Sequence, residues 1–160
     1  MGIKCSISSA SLKRYFAKSH NIIAREIKRA LSRLGVECVK AVRNRSAEDS
    51  WNDHTGNLRS SIGYAIYNYG KVEVESAFAV VKDGTEGAEV GKQVVEELAN
   101  LYADTYALVI LAGMEYASDV EAIKSKDVLA STELWAKSVI SERLQKAKDK
   151  AIQEINNLTI

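Results

Sequence analysis

The stretch from Asp53 to Ile62 constrains the fold most, because the periodicity of the chain changes there. Before it, apolar residues recur every three or four positions, as on one face of a helix; after it, they alternate, as on a strand. Asp53 or Thr55 can cap a short helical turn, and Gly56 with Asn57 suits a tight backbone. The stretch therefore predicts a junction between a helix and a hairpin.

The spacing inside this stretch predicts which side chains reach the core. Leu58 and Ile62 are four positions apart, so both lie on one face of the turn. Arg59 and Ser60 are then predicted to lie outside. An exposed arginine is available for a contact with another subunit, so we single out Arg59 as a candidate assembly contact.

Helical periodicity predicts three helices, over residues 19–45, 86–102 and 132–158. The last is predicted to begin at a Thr132 cap. The apolar stripe of the first consists of Ile23, Ile27, Ala30 or Leu31, Leu34, Cys38 and Ala41 or Val42. That of the second consists of Val90, Val94, Leu98 and Leu101. That of the third consists of Ala136, Ile140, Leu144, Ala147, Ala151, Ile155 and Leu158.

Alternating and continuous apolar runs predict the strands. Residues 53–81 are predicted to hold the junction and a hairpin that turns at Tyr69 and Gly70. Its second strand is predicted to place apolar residues on one face, at Val72, Val74, Phe78 and Val80. The apolar run within 105–117 predicts a central strand that is buried on both faces. Residues 118–131 are predicted to be a polar loop, and residues 1–18 an arm with a short strand at 3–7 and a brief helix.

These elements predict a single α+β domain over residues 1–160. A small antiparallel sheet of three to four strands is packed by a long N-terminal helix, a middle helix and a long C-terminal helix. A chain of 160 residues is long enough to bury a core of this kind.

Charge narrows the classes of function. The chain has 22 Lys and Arg residues against 21 Asp and Glu residues, a net charge of +1, which disfavours a free-standing nucleic-acid binder. A local alternative stays open, because basic side chains on the first helix could contact an acidic partner or a DNA backbone. These residues are Arg25, Lys28, Arg29, Arg33, Lys40, Arg43 and Arg45.

The N-terminal residues and the cysteines say little about location. Cys5 and Cys38 are predicted to be reduced and mostly buried. Residues 1–6 match an N-myristoylation pattern that also arises easily by chance. We expect no signal peptide and no membrane contact.

The residues that usually carry chemistry are not grouped in this sequence. His20 and His54 are not at metal-ligand spacing, and residues 84–93 lack the spacing of a P-loop. Glu73 and Glu75 lie on the wet face of a strand. We therefore expect no enzyme, no cofactor and no metal, although a hydrolase with a closed apolar pocket stays an alternative. Trp51 is either an exposed interface anchor or folded back over the first helix.

The order of long helix, polar loop, Thr55-Gly56-Asn57-Leu58-Arg59-Ser60-Ser61-Ile62 and hairpin resembles one protein family. It is similar to the head–tail joining and tail-completion proteins of long-tailed bacteriophages, the "gene product ten"-like family. Those proteins carry Thr-Gly-Asn-Leu-Arg-x-Ser-Ile after such a helix. They also carry a downstream Tyr-Ala-x-x-Val-Glu, which residues 116–121 match, and residues 127–133 stand where the family enters its last helix.

The resemblance implies a non-enzymatic structural subunit of a phage or prophage virion, made in the bacterial cytoplasm. Such a subunit assembles as a homo-oligomeric ring at the head–tail junction or tail end and contacts other virion proteins. It comes near DNA only through the backbone of the nucleic acid and takes no small-molecule substrate. The implied motif residues and candidate assembly contacts are Thr55, Gly56, Asn57, Leu58, Arg59, Ser60, Ile62, Tyr116, Ala117, Val120 and Glu121.

Overall fold

The computed structural model describes residues 7–46, 48, 50–123 and 126–159, and its α+β architecture confirms the predicted fold class. The helices are α1 (Ser9–Arg43), α2 (Asn57–Ser60), α3 (Thr85–Leu98), a 3-10 helix (Ala99–Tyr102), α4 (Ala117–Ala122) and α5 (Ala130–Asn156). The strands are β1 (Ile62–Asn68), β2 (Lys71–Glu75) and β3 (Tyr106–Ala112). None of these helices is long and apolar enough to cross a lipid bilayer.

The three strands form an antiparallel sheet in the order β2-β1-β3, so β1 is the central strand. Every residue of β1 from Ile62 to Tyr67 is buried. The prediction that the strand within 105–117 is central is wrong, because β3 lies at an edge and only Leu111 in it is fully buried. A continuous apolar run indicates that both faces of a strand are at least partly buried. It does not distinguish a central strand from a partly buried edge strand.

The hairpin turns where the sequence predicts, but its second strand is shorter than predicted. Tyr69 and Gly70 both have positive φ angles, 49° and 81°, which suits a two-residue hairpin turn. Pairing with β1 ends at Glu75, so residues 76–81 do not continue the strand. Phe78 adopts a φ of 45° that breaks the alternation, and its buried ring packs in the core. Val80 is exposed, contrary to prediction.

Helix α1 begins at Ser9, so the predicted separation of a brief helix from a long one is wrong. The predicted strand at residues 3–7 and the pattern at residues 1–6 fall almost wholly outside the described residues. In the second half of α1, Leu34, Cys38 and Val42 are buried as predicted. In the first half, Ile22 and Glu26 face inward, and Ile23 is 44% exposed.

Helix α3 buries a different face from the predicted one. Its buried residues are Gly87, Ala88, Gly91 and Val95. The predicted stripe is only partly buried at Val90, Val94 and Leu98, and Leu101 is 72% exposed. Small residues are buried because they let the helix backbone approach its neighbours closely, and the bulkier residues lie at the margin of the contact.

Residues 118–131 are not simply a loop, because α4 lies within them. Helix α5 begins at Ala130, two residues before the predicted Thr132 cap. The Asp127 carboxylate accepts a hydrogen bond from the Ser131 N–H (3.2 Å), which satisfies one N–H of the first turn. The predicted stripe of α5 is confirmed, with Ala147 and Ala151 fully buried and its other members partly buried.

The chain divides into two compact units, to both of which α1 and α5 contribute. Residues 1–30 and 141–160 form the helical unit, and residues 31–140 form the sheet unit. The helical unit holds a buried carboxylate, Glu26, whose side chain is 4% exposed. Its oxygens lie 3.0 Å from Arg25, 2.7 Å from Arg29 and 2.9 Å from Lys150. The hydrogen bond from Lys150 and those from the arginines lower the pKa of Glu26 to about 2.

Two hydrophobic clusters form the core of the sheet unit. The first contains Val42, Trp51, Leu58, Ile62, Ala117 and Val128. The second contains Ala65, Tyr67, Phe78, Ala88, Val95 and Leu111. The first cluster joins the end of α1 to the start of β1 and to α4, and the second joins the sheet to α3.

Candidate functional site

The candidate site is the junction of the two sequence motifs, residues 53–62 and 116–121, in the sheet unit. Leu58 and Ile62 from the first motif and Ala117 from the second are buried in the first cluster, and Val120 packs against it. The prediction that Leu58 and Ile62 both reach the core is therefore confirmed, although Ile62 lies in β1 and not on the helical turn as predicted. The fold brings together two segments that are far apart in the sequence.

Gly56 sets the backbone path of the first motif. Its φ is +87°, a left-handed conformation that residues with a side chain avoid. A Cβ at this position would lie 1.9 Å from the carbonyl oxygen of Val81. The motif therefore needs glycine at this position for both conformation and space.

Asp53 holds the turn from the preceding loop. Its buried carboxylate accepts hydrogen bonds from the N–H groups of Gly56 (3.0 Å) and Arg59 (2.9 Å). Thr55 is exposed, and its hydroxyl accepts only a longer bond from the Asn57 N–H (3.3 Å). Of the two predicted caps, Asp53 has the stronger contacts, and the neighbouring His54 is exposed.

Asn57 connects α2 to the beginning of α3. Its side-chain amide donates to Glu86 Oε2 (2.8 Å), and its Oδ1 accepts the N–H of Gly87 (3.3 Å). A Cβ at Gly87 would lie 2.0 Å from the Asn57 carbonyl oxygen. Gly87 thus allows α3 to approach the backbone of Asn57 closely, and the Asn57 side chain stabilises this contact with its two hydrogen bonds.

Arg59 points inward, so the prediction that it lies outside is wrong. Its guanidinium donates to the carbonyl oxygens of Arg43 and of Arg45 (2.7 Å) at the end of α1. The same group lies 4.8 Å from the centre of the Trp51 ring. Carbonyl groups at a helix C-terminus lack partners within the helix, and a cation satisfies them. Arg59 therefore caps the end of α1, and its guanidinium is bonded within the chain.

Trp51 is folded back into the core, which is the second of the two positions predicted for it. Its side chain is buried in the first cluster beside Val42. Within the described part of the chain, its Nε1 has no hydrogen-bond partner. The side chain contributes apolar surface and a face for Arg59.

Ser60 and Ser61 are both completely buried, so Ser60 is also not on the outside as predicted. The Ser60 hydroxyl accepts a hydrogen bond from the Val81 N–H (2.8 Å). The Ser61 hydroxyl donates to the Leu58 carbonyl (2.9 Å) and accepts the N–H of Gly113 (3.1 Å). Both hydroxyls lie just before β1 and bond to backbone groups of the segments that follow β2 and β3.

The second motif contributes one exposed aromatic residue and one capping carboxylate. Tyr116 is 40% exposed, and burial of the remainder together with the nearby Asp53 and Glu86 raises the pKa of its phenol. Glu121 Oε1 accepts the N–H groups of Leu129 (2.9 Å) and Ala130 (2.7 Å), just before α5. Glu121 therefore fixes the start of α5 relative to the motif junction.

Arg45 is a residue of this site that the sequence placed on a solvated face. Its guanidinium donates to the carbonyl oxygens of Asp127 and Val128, both at 2.8 Å, and lies 3.1 Å from the Asp127 carboxylate. It also donates to the hydroxyl of Thr132 (2.5 Å). No local signal could have identified these contacts, because the partners are more than 80 positions away in sequence.

A cavity of about 340 Å³ lies beside β3 in the sheet unit. Its walls are largely apolar and include Leu34, Leu108 and Ile110. The charged residues at its lining, Glu133 and Lys137, pair with each other at 2.5 Å. Within the described ranges, no group of three or more His, Cys, Asp or Glu side chains is placed to hold a metal ion.

Comparison with known proteins finds no family model that matches the chain, no curated protein with significant similarity and no solved structure with significant similarity.

Proposed function

We propose that this chain is a non-enzymatic structural subunit of a phage or prophage virion, a head–tail connector or tail-completion protein. In this proposal it assembles into a ring and contacts neighbouring virion proteins. The proposal begins from the resemblance of residues 55–62 and 116–121 to the motifs of that family.

The observation that carries the proposal is the meeting of these two motifs in one cluster. Leu58 and Ile62 pack with Ala117 there. Motif positions also carry specific geometry: Gly56 needs its positive φ, and Arg59 caps α1. The proposal treats these two segments as one unit, and their packing in a single cluster supports that treatment.

Of the residues that match specified positions of the family's motifs, Thr55 and Tyr116 are exposed and so available to a neighbouring protein. Tyrosine is one of the residues that most often contribute a large share of the binding energy at protein interfaces. We therefore assign the contact with a virion neighbour to Tyr116 and not to Arg59, whose guanidinium is used within the chain.

The nucleic-acid alternative has less support. Several arginines of the basic face already have partners in the chain. Arg25 and Arg29 contact Glu26, and Arg45 contacts Asp127. Arg43 donates to the carbonyl oxygen of Ala79. These charges are partly neutralised and oriented by the fold.

The test is disruption of the gene in the phage or prophage that carries it. We expect electron microscopy to show separate heads and tails, and infectivity to return when the wild-type chain is supplied in trans. Complementation by Tyr116→Ala should be impaired, whereas Tyr69→Ala, which changes a more exposed tyrosine outside the motifs, should complement fully. Intact infectious particles without the chain would refute the proposal.

A further inference from the structure

The near-neutral chain is made of two oppositely charged units. The helical unit, residues 1–30 and 141–160, contains 11 Lys and Arg residues and 4 Asp and Glu residues. The sheet unit, residues 31–140, contains 11 Lys and Arg residues and 17 Asp and Glu residues. The net charges are therefore +7 and −6, which the total of +1 conceals.

The positive charge of the helical unit is concentrated at the beginning of α1. Between Ser9 and His20 the helix has no acidic residue. Lys13, Arg14 and Lys18 are exposed there. Two apolar side chains accompany them, Leu12 and Phe16, and Phe16 is 65% exposed. At about 100° per residue, Leu12 and Phe16 lie on one side of the helix and Arg14 and Lys18 on the opposite side, with Lys13 between them, so the five residues surround this exposed stretch. We call them the basic face.

The negative charge of the sheet unit has a matching concentration on α3 and the turn after it. Glu89, Glu96, Glu97 and Asp104 are exposed there, and Leu101 is exposed among them. We call these five residues the acidic face. Lys92 is the cation exposed on the same helix.

We propose that the basic face of one copy docks on the acidic face of a second copy. The inference deepens the proposed function, on which it rests for the closed ring. The two faces have opposite charge and each carries exposed apolar side chains.

A contact between these two faces is head-to-tail. The two faces are different surfaces, so each copy that uses one still presents the other. A contact of this head-to-tail kind closes into a ring when the rotation between copies permits. Complementary charges also steer the encounter and fix its orientation.

Two other acidic partners are less well matched. A DNA backbone would pair with Lys13 and Arg14 but would offer nothing to the exposed ring of Phe16. An anionic membrane surface could accept both kinds of side chain, but it would leave the acidic face unexplained. Both are outcomes of the test.

The first measurement is the molar mass of the full chain by sedimentation and light scattering at two salt concentrations. We expect oligomers in about 0.05 M NaCl and an apparent dissociation constant at least about tenfold higher in about 0.5 M NaCl, because exposed charges are screened. A mass that is insensitive to salt, or a monomer in both buffers, would contradict the proposal.

The decisive measurement uses two triple variants. Lys13→Glu, Arg14→Glu and Lys18→Glu reverse the basic face; Glu89→Lys, Glu96→Lys and Glu97→Lys reverse the acidic face. Each variant alone should lose self-association, with a dissociation constant raised by about tenfold or more, because attraction becomes repulsion. An equimolar mixture should associate again, because each reversed face then meets a complementary one.

The control is the pair of changes Lys71→Glu and Glu115→Lys, which are exposed, lie off both faces and leave the net charge unaltered. This variant should associate like the wild type, and circular dichroism should show that every variant is folded. Folded triple variants that fail to associate when mixed would overturn the proposal.

Binding assays identify the rival partners. The wild-type chain is tested against duplex DNA and against vesicles with about one-fifth anionic lipid. Binding that the reversed basic face abolishes, in a chain that does not self-associate, would assign this face to that partner and overturn the proposal. Failure of this docking proposal can be told apart from failure of the proposed function. The gene-disruption test can show that virion assembly requires the chain even if the mixed variants do not associate.

Discussion

Replacement of Gly56 by alanine tests the geometry of the motif junction most directly. An alanine at a φ of +87° costs about 1–2 kcal/mol for the left-handed conformation. Its Cβ would also lie 1.9 Å from the Val81 carbonyl oxygen, so the backbone of Val81 must move. That movement strains the hydrogen bonds that Val81 makes with Ser60 Oγ (2.8 Å) and with the Gly84 N–H (3.0 Å). At about 0.5–1.5 kcal/mol for each bond, the total loss is about 2–5 kcal/mol.

Gly70→Ala supplies the matched control. Gly70 has nearly the same φ, +81°, but the nearest atom to an added Cβ is 3.3 Å away. This variant should therefore lose only the conformational part, about 1–2 kcal/mol. Urea unfolding followed by tryptophan fluorescence measures both free energies of unfolding. Equal losses in the two variants would refute the claim that close approach to Val81 requires glycine at position 56.

Three further changes test other contacts. Leu58→Ala should cost about 2–5 kcal/mol, because it opens a cavity beside Ile62 in the first cluster. Arg59→Lys should cost about 1–3 kcal/mol although it keeps the charge, because lysine cannot bond to the carbonyls of both Arg43 and Arg45 while it covers Trp51. Glu26→Gln should remove an acid-dependent loss of stability. The pKa of Glu26 lies at about 2 against 4.5, so its stabilisation is complete above pH 4.5 and is lost as the pH falls toward 2.

Urea unfolding, repeated across that pH range for Glu26→Gln, measures these changes. Leu134→Ala removes the same side chain from an exposed position and should change stability by less than about 0.5 kcal/mol. Glu115→Gln removes an exposed carboxylate and should keep the wild-type acid profile. A loss well below 1 kcal/mol for Leu58→Ala would show that the motif is not a core element. Identical acid profiles for Glu26→Gln and the wild type would refute the role of that carboxylate, and an unchanged Arg59→Lys would show that the cap is dispensable.

The sequence pattern correctly predicts features that depend on residues close together in the sequence. The stripe of α5, the turn at Tyr69 and Gly70, and the burial of Leu58 and Ile62 are predicted from residues within four positions of one another, and each is confirmed. Periodicity is sufficient for these features because a helix or a tight turn brings near neighbours in sequence together in space.

Contacts across long sequence separations decide the rest. The spacing within the turn predicts that Arg59 lies outside. In the structure its guanidinium instead bonds to backbone carbonyls near the end of α1, which are distant in sequence but close in space. Glu26 disrupts the apolar stripe of α1 in sequence, yet it is buried because Lys150 and two arginines neutralise it. The face of α3 is mispredicted because Gly87 and Gly91 have no side chain to register as hydrophobic, and the absence of side chains is what permits the contact.

The Ser61 hydroxyl, which accepts the Gly113 N–H across 52 positions of sequence, has a consequence for the order of folding. Helices α1 and α5 can begin to form from local contacts alone, within microseconds. The junction must wait until a long loop closes, and loop closure carries an entropic cost that local helices do not bear. We therefore expect the motif residues to be among the last to reach their native positions, so a nascent chain presents the completed junction only when the rest of the sheet unit is in place.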